Sequence, residues 1–203
     1  PVPRIQHIVE HEGEVVARSS QNFPLFPDSS LRYPSEWQVI GPYDGQPMET
    51  TMPPNPRESM AWIFERQGPE DGYQGGKKFE TNGNQLEWHA QEATAQDGPG
   101  FVNVGARFDM PFDDYAYAAV SVHSPEAKRV YARFRVDDYG IIYVNGQMIE
   151  PGLMRTRRDA RWISLDLNEG WNTVVVKNAA ITGGWTFWLG FADPGETLRF
   201  AAD

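Results

Sequence analysis

The chain has 203 residues, with 18 basic against 28 acidic side chains and a net charge of −10. That balance disfavours nucleic acid as a partner, because phosphate binding needs a basic footprint. Cysteine is absent, which excludes thiol catalysis, thiolate metal sites and disulfides, and no apolar run approaches the ~18 residues of a membrane-spanning helix.

From the N-terminus, Arg4 to Arg18 is the only helix candidate. Ile5, Ile8, Val9, Val15 and Val16 fit an apolar stripe imperfectly, and Gly13 interrupts it. Within it His7, Glu10 and His11 match the His-x-x-Glu-His pattern of inverted zinc proteases. Such an enzyme needs a helical domain and a third ligand downstream, and neither is evident, so the segment is expected to be a lead-in or edge element. Residues 19–34 mix Ser, Asn, Pro and Asp with Phe23, Leu25, Phe26, Leu31 and Tyr33, as a segment lying over a core does. Residues 1–34 are thus expected as an irregular N-terminal extension packed on one domain, residues 35–203.

Trp37–Ile40 predicts a strand. Pro42, Pro47, Pro53, Pro54 and Pro56 then exclude a central strand up to Arg57 and predict a long surface loop. Met60–Phe64 predicts a short apolar strand, and residues 68–84, polar and rich in glycine around Tyr73, an exposed loop. Short strands are expected at Leu86–Ala90 and Phe101–Val104, flanking a turn near Asp97-Gly98-Pro99-Gly100. From Tyr115 to His123 the chain alternates, with Ala116, Ala118, Val120 and Val122 on one face and Tyr115, Tyr117, Ala119, Ser121 and His123 on the other.

The clearest pattern lies between Arg129 and Asp193. Val130, Ala132, Phe134 and Val136 alternate with Tyr131, Arg133 and Arg135, the period of a half-buried strand. After Asp137-Asp138-Tyr139-Gly140 comes a strand at Ile141–Val144, then Asn145-Gly146, the strongest short hairpin signal because both residues tolerate positive φ. Strand-length runs follow at Trp162–Leu167, Trp171–Lys177 and Trp185–Phe191, broken by turns every ~8–12 residues as in an all-β sandwich.

These residues carry a resemblance. Val-Asp-Asp-Tyr-Gly through Asn-Gly at 136–146, Leu-Asn-Glu-Gly-Trp-Asn-Thr-Val-Val-Val-Lys-Asn at 167–178 and Gly-Gly-Trp-Thr-Phe-Trp-Leu at 183–189 resemble a galactose-binding-like β-sandwich module. Trp37 to Tyr43 looks like its opening strand. Such modules occur as accessory domains of secreted bacterial glycan-processing enzymes. The resemblance implies an all-β fold, two antiparallel sheets in a jelly-roll sandwich. Pro1 in place of a methionine points to a processed export product or an excised fragment, so a secreted or periplasmic location is expected. The hairpin is also similar to protective-antigen-like lectin domains. That likeness implies Asp137 and Asp138 as calcium ligands, with backbone carbonyls or Asn145 completing an oxygen shell; the alternative is that the pair only shapes a turn.

Catalytic constellations are missing. Four histidines lie scattered, and no nucleophile elbow, phosphate loop or dinucleotide fingerprint is present. Asp113-Asp114 and Asp137-Asp138 are adjacent pairs, whereas a glycosidase needs carboxylates facing each other across a cleft. Aromatics offer more, with seven tryptophans whose faces stack on sugar C–H groups. Trp37, Trp88, Trp171 and one of Trp185 and Trp188 are expected in the core. Tyr43, Tyr73, Tyr139 and Trp185 are the candidates to stack on a sugar. Arg155, Arg157, Arg158 and Arg161 fall within seven residues and suit carboxylate or sulfate recognition, as do Arg133 and Arg135. The bland alternative is a solvated loop paired with Asp159 and Asp166.

Three functions remain open. Foremost is a non-catalytic carbohydrate-binding module for polysaccharide or oligosaccharide, with acidic or sulfated glycans among the ligands it would suit. The others are an interaction domain docking onto a catalytic domain or companion chain, and a small glycan-active enzyme or enzyme subunit.

Overall fold

The computed structural model describes residues 4–11, 14–22, 26–46, 55–75, 77–108, 113–156 and 160–202, with only the backbone described in 4–11 and 14–22 and at position 57. It is mostly β structure, with short helical turns. In chain order the strands are β1 Arg4–His11, β2 Glu14–Asn22, β3 Leu31–Arg32, β4 Glu36–Tyr43, β5 Phe79–Thr81, β6 Asn84–Leu86, β7 His89–Glu92 and β8 Phe101–Asn103. Then come β9 Asp114–Ser124, β10 Lys128–Asp137, β11 Tyr139–Val144, β12 Gln147–Met148, β13 Arg161–Leu167, β14 Gly170–Ala180, β15 Thr186–Ala192 and β16 Arg199–Ala201.

Two antiparallel sheets form the sandwich. One has five strands in the order β13-β10-β15, with β3 and β8 sharing the far edge of β15. The other has seven, in the order β12-β11-β14-β9-β4-β7, with β16 also on β9. From β8 onward the chain passes from one sheet to the other at nearly every strand, the jelly-roll habit, and only the β11–β12 hairpin stays within a sheet. That hairpin turns on Asn145 at φ 49° and Gly146 at φ 77°, the positive values that Asn-Gly was expected to take.

The helix expected over Arg4 to Arg18 is instead the β1–β2 hairpin. Its apolar residues are β-branched, and χ1 stiffness favours strand over helix for them. In a strand, residues four apart lie ~13 Å apart along the chain, so His7 and His11 lose the spacing that one zinc ion requires. The strand expected at Met60–Phe64 is also corrected. A helical turn at Pro56–Ser59 runs into a 3₁₀ turn at Ala61–Phe64. This segment lies across a sheet face, where every strand already has its lateral partners, so its backbone hydrogen bonds close locally, as from Ile63 N–H to Met60 O.

Side chains from both inner faces fill the space between the sheets, among them Trp37, Val120, Phe134, Val136, Val176, Phe187 and Leu189. Trp37 meets Phe187 edge to face at 5.0 Å. A second core lies on the outer face of the seven-stranded sheet. Tyr43, Tyr115, Tyr117, Tyr139, Ile141 and Tyr143 project there and are covered by Met60, Trp62, Ile63 and Phe79. Burial on both faces explains why β11 is buried at all six positions, whereas β10 alternates buried and half-buried.

Candidate functional site

On the outer face of the five-stranded sheet Phe26 packs on Tyr131 and Trp162, and among the described residues a pocket of about 270 Å³ opens on that face. Register builds its floor: Arg133 of β10 lies opposite Gly190 of β15, and Arg135 opposite Trp188. Asp28 and Tyr33 from the segment before β4, Asp97-Gly98-Pro99 from the β7–β8 loop, and Ala160 before β13 close the walls. Gly190 admits Tyr33, since a Cβ there would lie 2.5 Å from the tyrosine ring, the close approach that a glycine inside a strand marks.

The pocket chemistry is mixed. Arg133 donates from Nη1 to Asp28 Oδ1 at 2.7 Å, and both side chains remain substantially exposed. The Arg135 guanidinium sits 4.1 Å above the Trp188 ring, while Phe101 packs at 4.8 Å on the same indole. Trp188 is thereby 9% exposed. Its Nε1 donor is shielded and has no hydrogen-bond partner among the described residues, although a buried donor left so carries a desolvation cost. Burial pushes the Tyr33 hydroxyl above its ordinary value, and Arg133 pulls the other way. The wall therefore offers cationic and neutral donors beside exposed carboxylate acceptors.

A different cluster lies beneath the cover of the seven-stranded sheet. Lys177 is fully buried, donates to Glu65 O at 2.9 Å, and stands 4.3 Å from the Tyr115 ring centroid and 5.2 Å from that of Tyr117. Tyr117 donates to Glu70 Oε1 at 2.7 Å. Burial pushes Lys177 down to about 8, against the raising influence of Glu70 and Glu65. It pushes the Tyr143 hydroxyl up to about 12 and those of Tyr43, Tyr115 and Tyr117 higher still.

The residues singled out from sequence are scattered. Tyr43 is inside, stacked on Tyr115 at 5.3 Å and edge-on to Tyr117, so no ring face is free for a sugar. Trp185 is fully buried and donates Nε1–H to Asn178 O at 3.0 Å. Tyr139 is 2% exposed and carries the Arg155 guanidinium 5.3 Å over its ring. Tyr73 stays at the surface, edge-on to Trp88. Arg157 and Arg158 lie outside the described residues, between Thr156 and Ala160. Trp171, expected in the core, is 56% exposed.

Asp138 is buried, and its Oδ2 accepts from Ile181 N at 2.9 Å and Thr182 N at 2.6 Å, the work of a turn-fixing carboxylate. Asn145 lies at the far end of β11, ~20 Å away at strand rise, and its Oδ1 accepts from Thr173 N. Among the described residues no three His, Cys, Asp or Glu side chains group as metal ligands.

No family model and no curated protein matches the chain. Among solved structures it is similar to a beta-glucosidase from Kluyveromyces marxianus, with a TM-score of 0.39 and 13% identity over 77% of this chain and 16% of that one. It is similar also to a GH31 alpha-xylosidase from Xanthomonas citri, with a TM-score of 0.33 and 12% identity over 97% of this chain and 27% of that one. The chain thus spans a minor part of either enzyme, and likeness at this level concerns strand arrangement alone.

Sequence reasoning reached Arg133 and Arg135 through the β10 alternation and missed the rest of the pocket. Gly190 was a legible signal, a glycine inside an aromatic strand. Asp28, Tyr33 and Asp97 carried none, because loops far apart in sequence bring them in.

Proposed function

We propose that this domain is a non-catalytic carbohydrate-binding module of a secreted or periplasmic protein, holding an acidic polysaccharide or oligosaccharide on the open face of the five-stranded sheet. One observation carries this reading: Arg133 and Arg135 line a single pocket with Tyr33, Trp188, Asp28 and Asp97. Guanidinium donors suit a uronate carboxylate, and Asp28 and Asp97 accept from hydroxyls at the rim. The volume, just under the ~300–1,000 Å³ of drug-sized ligand pockets, suits one sugar ring of a longer chain. Catalysis is a poorer fit to the same wall. Asp28 is tied to Arg133 and Asp97 is exposed, whereas a glycosidic general acid is a carboxyl desolvated enough to stay protonated. In this reading Asp137 and Asp138 shape the corner after β10.

Affinity electrophoresis in polygalacturonate and in a neutral glucan tests the proposal. The wild-type domain is retarded by polygalacturonate, less so as salt rises, because exposed charges are screened over ~8 Å at physiological ionic strength. Arg135→Ala weakens retention about tenfold or more, the worth of one charge-assisted hydrogen bond. Trp188→Phe, which keeps a ring and removes the donor, weakens it less. Retention unchanged in Arg135→Ala, or no retention of wild type, overturns the proposal, and release of reducing ends from the polysaccharide would favour an enzyme instead.

A further inference from the structure

The cover over the seven-stranded sheet ends abruptly. Gly72 touches the face near the end of β14, where a Cβ would fall 1.9 Å from Thr173 Cγ2. Side chains two apart on a strand share a face, so the next row beyond Thr173 is that of Trp171. Register sets Trp171 of β14 beside His123 of β9, and His123 beside Arg199 of β16. The His123 ring meets the indole edge-on at 5.2 Å, and the Arg199 guanidinium lies 6.0 Å from the indole ring centroid. Three neighbouring strands thus present a strip about 10 Å across, from strand spacing, that is open among the described residues: a tryptophan 56% exposed, a half-buried imidazole and an exposed guanidinium.

We propose that this strip is a second carbohydrate contact, in which the Trp171 ring stacks on a pyranose face while His123 and Arg199 hydrogen-bond to its hydroxyls. The proposal rests on the glycan-binding reading of the domain but on none of the pocket residues. A protein partner suits the strip less well. Among the described residues the other exposed large apolar side chains are Tyr73 and Met148, and a stable protein interface buries about 800 Å² on each side around an apolar centre. A single ring bordered by polar groups matches a sugar, which has an apolar face and a polar rim. The strip and the pocket occupy the two opposite outer faces of the sandwich. A short oligosaccharide therefore cannot bridge them, whereas a polysaccharide solution offers each its own chain segment.

Affinity electrophoresis of the whole chain in polygalacturonate and in a neutral β-glucan decides it, with Arg135→Ala as the pocket control and melting curves to confirm folding. Trp171→Ala is expected to weaken retention about threefold to tenfold, the size of one aromatic contact, with Trp171→Phe restoring most of it and Arg199→Ala losing less. Combined with Arg135→Ala the losses multiply, as for independent sites. Retention of Trp171→Ala equal to wild type, with Arg135→Ala weakened, overturns the strip and leaves the pocket. Wild-type retention unchanged by either substitution, or no retention of wild type in either polysaccharide, overturns both readings.

Discussion

Two neighbouring strands, β9 and β10, send alternate side chains into the same core, yet their outward faces meet opposite fates. On β9 the outward residues Tyr115, Tyr117 and Ala119 are buried under residues 56–81. On β10 the outward residues Tyr131, Arg133 and Arg135 stay half-exposed, and Arg133 and Arg135 line a pocket. The covered face spends its aromatic surface on stability, and its one ammonium, Lys177, is matched by a carbonyl and two tyrosine rings. The open face keeps the Arg133 and Arg135 side chains half-exposed to solvent.

The contrast can be broken most directly at the cover. Trp62 is 5% exposed and leans on Tyr115 at 5.4 Å, so Trp62→Ala should cost ~3–5 kcal/mol of unfolding free energy in urea. A loss below ~1 kcal/mol would mean that the cover is loosely held and the two faces are less different than their burial implies.

A pH titration of stability sharpens it next. The folded-state value of Lys177 near 8 lies below the ordinary ~10.4. Below pH 8 both folded and unfolded states carry the proton and the burial cost is complete. Between the two values the unfolded state binds more protons, so stability should rise with pH, by on the order of 2–3 kcal/mol from this group. Above pH ~10 the buried tyrosines reverse the trend, because their raised values let the unfolded chain ionise first. Lys177→Met should remove the rise and keep the fall. A rise that persists in that variant would assign it to another group.

The smallest effect belongs to the open face. Arg133 and Asp28 have side chains 39% and 80% exposed, and exposed pairs contribute ~0–1 kcal/mol. Arg133→Ala should thus leave the melting temperature almost unchanged while weakening retention on acidic polysaccharide. A large loss of stability instead would make Arg133 a structural anchor of the segment before β4.

Much of the architecture was legible in the residues. Alternation named the inner faces of β9 and β10, and Asn145-Gly146 fixed a hairpin, because period and turn chemistry are local properties of the backbone. The identity of the exposed aromatics was not legible. Trp171 and Trp185 each sit at a strand terminus or beside one, and one-dimensional pattern makes both core candidates. Trp185 is enclosed by Asn178 and its neighbours across the sandwich, while Trp171 falls one row beyond the last residue that Gly72 covers.

What the sequence determined by itself was the β class, the alternating core faces of β9 and β10 and the turn at Asn145-Gly146, all set by residues within a few positions of one another. The tertiary structure alone decided which sheet face is covered, that residues 56–64 coil as a cover instead of pairing as a strand, and that Asp28, Tyr33, Asp97 and Trp188 meet Arg133 and Arg135. Those outcomes depend on contacts spanning from about 36 to 160 positions along the chain. Local propensity carries no record of such pairings, because the free energy that selects them comes from burying whole faces together.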